Sequence, residues 1–515
     1  MKRLSAYQII RPWKLALLWV FLSLASLQGL TKAEIETLSR SLDPESIGEQ
    51  FAFYQLYPDT VWGREAYRQA WKLLQKHRKE ALPPETTLHL PPFEIEGIIS
   101  LVSQAQREEL LPLTLPQLEV IETTSNHLAN RELKGFQVTQ IDEILSLPPE
   151  EIDLSRALLL LQFEGNLEKI RLYEASLDLM ALQILARLPL NPTNEEKIRA
   201  LSHFIFTEKK FRFPPHSLYA SEIDTYTFLS SVIESRLGVC LGVSILYLTL
   251  ADRLAIPLEV ITPPGHIYLS YQGQNIETTA RGVHFPDHTY LGINTRKLQK
   301  RNKKELIGLT LLNEASVAWQ KNDHTRATAL YEKALPFFSD DHLVKLLLGY
   351  NYLFIGKKKE GKQLLREVSK LPFDHAVSKE TTPEDYLQGK VDAKGIQLLF
   401  MPVDEHRESI LTKQKALEKV LKKYPHFRDG LLQLATTYMQ LGESTKALKA
   451  LKKYHALDPT SPVTEYYLAI LSIRHFQYEE AWHYLENVKR LTEARGHAPH
   501  CLKSLSRTLQ TLYQP

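Results

Sequence analysis

Small side chains return at an interval of 34 residues in the carboxy-terminal half of this chain, and no other feature narrows its possible folds as far. Ala315 and Gly349, Ala327 and Gly361, Ala435 and Ala469, and Ala447 and Ala481 are each 34 positions apart. Larger residues keep step with them: Tyr331 with Leu365, Leu451 with Leu485 and Tyr454 with Val488. An interval of this length holds one helix-turn-helix unit, in which small residues mark the places where two helix backbones approach closely. One unit alone cannot bury its apolar face, so units must stack. The expected product is an all-α solenoid over residues 305–372 and 401–490, with a linker or insertion at 373–400. Ala416, Val420 and Pro425 fit the second helix of a degenerate intermediate unit, and a helix over Ser504 to Tyr513, within residues 491–515, caps the stack.

The chain has 515 residues, enough for several domains. Lys2, Arg3, Arg11 and Lys14 precede an apolar run from Leu15 to Leu30, the charge and hydropathy order of a secretory signal or an uncleaved membrane anchor within residues 1–33. Thr31-Lys32-Ala33 offers a cleavage site for the first of these. The expected location is therefore exported: periplasmic, envelope-associated or secreted. With 63 Lys plus Arg against 60 Asp plus Glu, the net charge of +3 gives no electrostatic reason to expect a nucleic-acid partner. Cys240 and Cys501 are the two cysteines, so there is no disulfide framework and no paired-cysteine metal motif. No cofactor or metal is expected.

Residues 34–149 read as helices punctuated by Pro83-Pro84, Pro91-Pro92 and Pro148-Pro149, because proline removes an interior helix donor and turns its predecessor extended. The acidic residues Glu94, Glu96, Glu108 and Glu109 read as a solvated face. Better-defined helices follow. Asp153 caps one that carries Leu158, Leu159 and Leu161, a second runs from Leu167 to Leu188, and a third starts near Asn194 and continues through Phe204 and Ile205.

These helices lead into Gly238-Val239-Cys240-Leu241-Gly242, a glycine-flanked turn that opens the apolar run Ile245 to Ala251. A thiol in the first turn of a helix meets unpaired backbone N–H groups and the positive end of the macrodipole, which favour thiolate over thiol. Farther along, Pro263-Pro264-Gly265-His266 opens a strand-like run, and Asn275-Ile276-Glu277 returns antiparallel to it. Cys240 attacking a carbonyl, His266 pairing with its thiolate and protonating the leaving amine, and Glu277 orienting the imidazole would form a thiol triad. The Cys240 backbone N–H is the candidate oxyanion donor. A two-residue turn at Gly273-Gln274 puts Glu277 opposite Ser270 and on the face of His266, whereas a three-residue turn reverses it. Asp287 is an alternative acid. His284-Phe285-Pro286-Asp287-His288 has metal-ligating residue types, but its proline breaks the helix that would align them. The basic run Arg296 to Lys304 reads as a linker with a solvated helix face.

The order Ala200-Leu201-Ser202-His203-Phe204, Phe228-Leu229-Ser230-Ser231-Val232, Leu246-Tyr247-Leu248, Arg253-Leu254-Ala255-Ile256-Pro257 and Pro264-Gly265-His266 resembles the SirB-type branch of the transglutaminase-like superfamily over residues 150 to 290. That resemblance implies a papain-like core in which a cysteine begins a helix and a histidine and an acid lie on adjacent strands. Cys240, His266 and Glu277 fall on those positions, although Asp is commoner than Glu at the third. The 34-residue units resemble tetratricopeptide repeats, which implies a protein or peptide ligand in their groove. The fold class is α+β: a mostly helical amino-terminal region, a transglutaminase-like core over 150–300 and a carboxy-terminal all-α solenoid. The expected function is a thiol hydrolase or acyltransferase acting on peptide or amide bonds. Catalytically inactive assembly module and pure scaffold are the alternatives.

Overall fold

The computed structural model describes residues 31–81, 113–214, 223–339, 341–371, 374–404 and 406–513. The apolar run before Thr31, the paired prolines at 83–84 and 91–92 and their neighbouring glutamates lie outside the described residues. Among the described residues, no helix is long and apolar enough to cross a membrane. The chain divides into two compact units, one of residues 1–105 with Leu185–Asn191 and one of the remainder.

In the first unit, α1 (Lys32–Ser41), α2 (Ile47–Leu56) and α3 (Val61–Ala81) follow one another. Thr31 opens α1 with a capping box in which the Glu34 carboxylate accepts the Thr31 N–H at 2.7 Å. The proposed cleavage tripeptide Thr31-Lys32-Ala33 is thus the start of a capped helix. Ile35, Phe53 and Ala66 form the buried centre of this unit.

The second unit begins with α4 (Leu115–Thr124), α5 (Ile141–Ser146), α6 (Leu154–Gln162) and α7 (Leu167–Leu185). Next come α8 (Asn194–His203), α9 (Leu229–Ser235) and α10 (Cys240–Arg253). Asp153 caps α6, its side chain accepting the Arg156 N–H. The helix expected to run through Phe204 and Ile205 changes there into a π-helical turn, Phe204–Glu208. Every residue from Leu241 to Ala251 is buried, so α10 is the central rod of this core, enclosed by α6, α8, α9 and a sheet.

That sheet contains β1 (Glu259–Thr262), β2 (Tyr268–Tyr271), β3 (Gln274–Ile276) and β4 (Gln299–Arg301), antiparallel throughout in the order β3-β2-β1-β4. The basic run Arg296 to Lys304, expected as a linker, therefore supplies an edge strand. Arg301 is held there by Asp341 at 2.7 Å and Glu305 at 2.8 Å, so its charge answers neighbouring carboxylates instead of facing solvent.

The repeats follow as antiparallel pairs: α11 (Lys303–Gln320) with α12 (His324–Ala334), and α13 (His342–Phe354) with α14 (Lys358–Lys370). The intervening stretch holds two short helices, α15 (Thr382–Leu387) and α16 (Ala393–Leu399), and then α17 (Arg407–Lys423), the helix of the degenerate unit. α18 (Arg428–Gln440) pairs with α19 (Ser444–Leu457), α20 (Pro462–Arg474) pairs with α21 (Tyr478–Glu493), and α22 (His500–Leu512) caps the stack. Ala315, Ala327, Gly349, Gly361, Ala435, Ala447, Ala469 and Ala481 are all buried between helices.

The period also governs the backbone. Asn322, Gly356, Gly442 and Phe476 occupy the same turn position of the four pairs, with φ of 60°, 84°, 75° and 60°. Left-handed backbone suits glycine and asparagine but strains a bulky side chain by roughly 1–2 kcal/mol. Phe476 is also 80% exposed, so little packing offsets the strain. Phe476→Gly is expected to stabilise the array by about 1 kcal/mol, read as a rise in its urea midpoint.

Candidate active site

Three local devices deliver the three candidate side chains. α9 ends with Arg236 in the left-handed conformation at φ 59°, and the chain reverses so that the Val239 N–H donates to Tyr226 O at 3.1 Å. α10 then starts at Cys240 with no side-chain cap. Gly242 lets the preceding loop lie against this first turn, since a Cβ there would sit 2.2 Å from Tyr226 O. Cys240 is a free, partly exposed thiol.

The Pro-Pro-Gly-His element is a β-turn. The His266 N–H donates to Pro263 O at 3.1 Å, with Pro264 at the second position and Gly265 at φ 71° in the third, the pattern of a type II turn. This turn sets His266 just ahead of β2. Glu277 follows β3, and its strand partner fixes where it points. Leu269 pairs with Ile276, Ser270 with Asn275 and Tyr271 with Gln274. The connecting turn is therefore Gln272-Gly273, both at positive φ, as in a type I′ hairpin, and not Gly273-Gln274. Relative to the two-residue turn at Gly273-Gln274 the pairing slides by two residues, which places Glu277 level with Tyr268 instead of Ser270. A shift of two preserves the face, so Glu277 still meets His266.

The contact is direct: His266 Nε2 lies 2.7 Å from Glu277 Oε2. Cys240 lies close enough to act on the same imidazole, through hydrogen bonding and through its charge. Burial alone would lower the His266 pKa, but the hydrogen bonds to Cys240 and Glu277 and their negative charges outweigh it and raise the imidazole to about 10. Glu277 is buried, which by itself disfavours its charge. Donors from His266, Tyr290 and Thr279 reverse this and hold its carboxyl below the usual range.

Tyr290 and Tyr268 were not legible as site residues. Tyr290 Oη donates to Glu277 Oε2 at 2.7 Å, the oxygen that His266 also uses, and its ring stacks on His266 at 5.8 Å and on Tyr268 at 4.7 Å. Tyr268 Oη donates to Asp287 Oδ1 at 2.8 Å, and Asn275 Nδ2 donates to the same oxygen at 2.7 Å. Asp287, the alternative acid, is thus directed at Tyr268 and Asn275, while Glu277 takes the histidine. His284 Nδ1 accepts the Asn275 N–H at 2.9 Å, so it supports β3. The strand parity of Tyr268 with His266 was a usable signal; for Tyr290 the sequence offers none, because it arrives from a 3₁₀ turn beyond the sheet.

Tyr290→Phe retains the ring stack and removes one donor from Glu277. A net hydrogen bond is worth ~0.5–1.5 kcal/mol, so Cys240 alkylation should slow roughly two- to tenfold. The acid limb of its pH profile should move to higher pH, because Glu277 loses part of what holds its carboxyl low.

Comparison with known proteins agrees with this architecture. Residues 171–278 match the family model of the transglutaminase-like superfamily. The chain carries a transglutaminase-like domain. Cys240, His266 and Glu277 all lie within the matched range, and Tyr290 lies beyond it. Residues 429–461 match a tetratricopeptide repeat, the α18–α19 pair. No curated protein matches the chain in sequence. Among solved structures, MamA is 16% identical with a TM-score of 0.20, covering 35% of this chain and 96% of MamA. MamA AMB-1 is 17% identical with a TM-score of 0.20, covering 36% and 98%. Likenesses this weak define nothing beyond themselves.

Proposed function

We propose that the transglutaminase-like domain is a thiol enzyme of SirB type that cleaves or transfers at an amide bond, with the repeat array holding a protein partner. The observation that carries the reading is the direct contact of His266 Nε2 with Glu277 Oε2 at 2.7 Å, on an imidazole that Cys240 is near enough to influence. In this reaction Cys240 Sγ bonds to the carbonyl carbon and the negative charge passes to oxygen, next to the uncapped N–H groups that begin α10. The C–N bond then breaks, and the amine leaves with the proton from the His266 imidazolium. Water or a second amine, deprotonated by His266, attacks the thioester and regenerates the thiol. Glu277 touches no substrate atom and orients the ring, and Tyr290 orients Glu277. Export of the chain through its amino-terminal apolar segment belongs to the same proposal.

The tetratricopeptide repeats favour a second reading, a protein-interaction adaptor whose thiol fold is inactive. A peptide bearing a vinyl sulfone separates the two. The enzyme reading expects a covalent adduct on Cys240, absent in Cys240→Ala and strongly reduced in His266→Ala, by intact-mass analysis. An adduct confined to Cys501, or one indifferent to His266, rejects it.

A further inference from the structure

We propose that a cavity at the carboxy-terminal end of the repeat array docks a carboxylate-bearing peptide segment. The cavity, of about 320 Å³, opens between α21 and α22 and is lined by Lys489, Lys503, Arg507, Ser506, Glu493 and His497. Lys503 and Arg507 lie one helical turn apart on α22 and present both charges to the same side. Buried Leu502 and Pro499 form apolar wall beneath them.

Three cations face one carboxylate here. Lys489 Nζ donates to the Ser506 hydroxyl at 3.3 Å, and among the described residues no ion pair engages Lys489, Lys503 or Arg507. Other lysines of the array are paired: Lys446 with Glu443 at 3.0 Å and Lys452 with Glu480 at 2.7 Å. A net charge of +3 over the whole chain does not spread such an excess everywhere, so the cluster is a local feature. Convergent guanidinium and ammonium groups over an apolar wall complement a carboxylate on a short methylene stem. A cavity of this size lies at the small end of ligand sites, with room for one or two residues of a peptide. His497, in the cavity lining, donates from Nε2 to Gly292 O at 2.9 Å, two residues past Tyr290.

The test uses the full chain and fluorescein-labelled hexapeptides read by fluorescence anisotropy: an Asp/Glu peptide, its Asn/Gln analogue and the acidic peptide with an amidated terminus. Saturable, salt-sensitive binding of the acidic peptide is expected, weakened about tenfold or more in Lys503→Glu/Arg507→Glu and unchanged in Lys449→Glu, with far-ultraviolet circular dichroism confirming that the variants fold. Loss on amidation assigns the contact to a chain terminus, and retention assigns it to acidic side chains. Equal binding of the Asn/Gln analogue, indifference to the double variant, or displacement by equimolar inorganic phosphate overturns the proposal. Cys240→Ala should bind as the native chain does, so failure of the thiol reading and failure of this one are distinguishable.

Discussion

Iodoacetamide is expected to alkylate Cys240 about ten- to a hundredfold faster than Cys501 at pH 7, and His266→Ala to remove most of that preference. The two cysteines make a controlled pair. Cys240 is the first residue of α10 and Cys501 the second of α22, so each meets the free N–H groups and positive dipole of a helix start. Cys240 and the His266 imidazole influence each other, whereas among the described residues no histidine acts on Cys501. Burial pushes the Cys501 thiol up, against a weaker opposing hydrogen bond with Tyr466. The Cys240 advantage should be largest near pH 6 and shrink as pH rises, because the thiolate fraction of Cys501 grows about tenfold per pH unit below its pKa. Equal rates at neutral pH, followed by mass spectrometry, would sink the activated-thiol idea.

The sign of the pH dependence follows from the two partners. His266 is raised to about 10, above its ordinary value near 6.5. Its pairing therefore stabilises the fold fully below about pH 6.5 and is lost as pH rises through about 10. Glu277 is lowered, so its contribution is present above the usual carboxylate pKa and lost as pH falls through its depressed value. The intact dyad occupies the window between, which includes neutral pH.

Arg253→Met is expected to destabilise the second unit by roughly 3–5 kcal/mol, the cost of leaving buried carboxylates without their cation. Arg253 stands at the opposite end of α10 from Cys240 and is 2% exposed. Its Nε donates to Asp178 Oδ1 at 2.7 Å and its Nη1 to Ser155 Oγ at 3.1 Å. Asp178 also accepts from Arg131, and Asp153 accepts from Asn130, Ser155 and the Arg156 N–H. Burial raises the Asp153 pKa, but Arg253 and these donors together hold it low. Without the guanidinium the Asp153 carboxyl is held less low, so the destabilisation should be largest at neutral pH and shrink as pH falls through the carboxylate range. The exposed pair Lys300–Glu259, 2.7 Å apart, supplies the contrast: Lys300→Met should change stability by less than about 1 kcal/mol. Comparable urea shifts for the two variants would mean that the buried cluster does not anchor α10.

Legibility differed by kind of information. Helices and repeats were readable because their periodicity is local: 34-residue spacing, apolar runs and proline stops act within a few turns of chain. The edge strand at Gln299–Arg301 was not, since three polar residues become a strand only when β1 offers them a partner. The hairpin register was left open between a two-residue and a three-residue turn, and the structure forms a two-residue turn at Gln272 and Gly273, both left-handed. This pairing differs by two residues from that of a turn at Gly273-Gln274, and because strand faces alternate with period two it keeps Glu277 on the face of His266.

The sequence by itself determined the α+β class, the helical repeats, and the presence of a cysteine, a histidine and an acid in an order compatible with thiol chemistry. Those properties depend on composition and short-range spacing. Tertiary structure alone decided that Glu277 rather than Asp287 takes the imidazole, that Tyr290 closes over the pair, and that α10 is pinned at its far end by a buried arginine. Each joins residues separated by whole elements, Arg253 to Asp178 and Ser155 above all. Packing brings such groups together, and once they are buried their charges must find one another because no water is there to answer them.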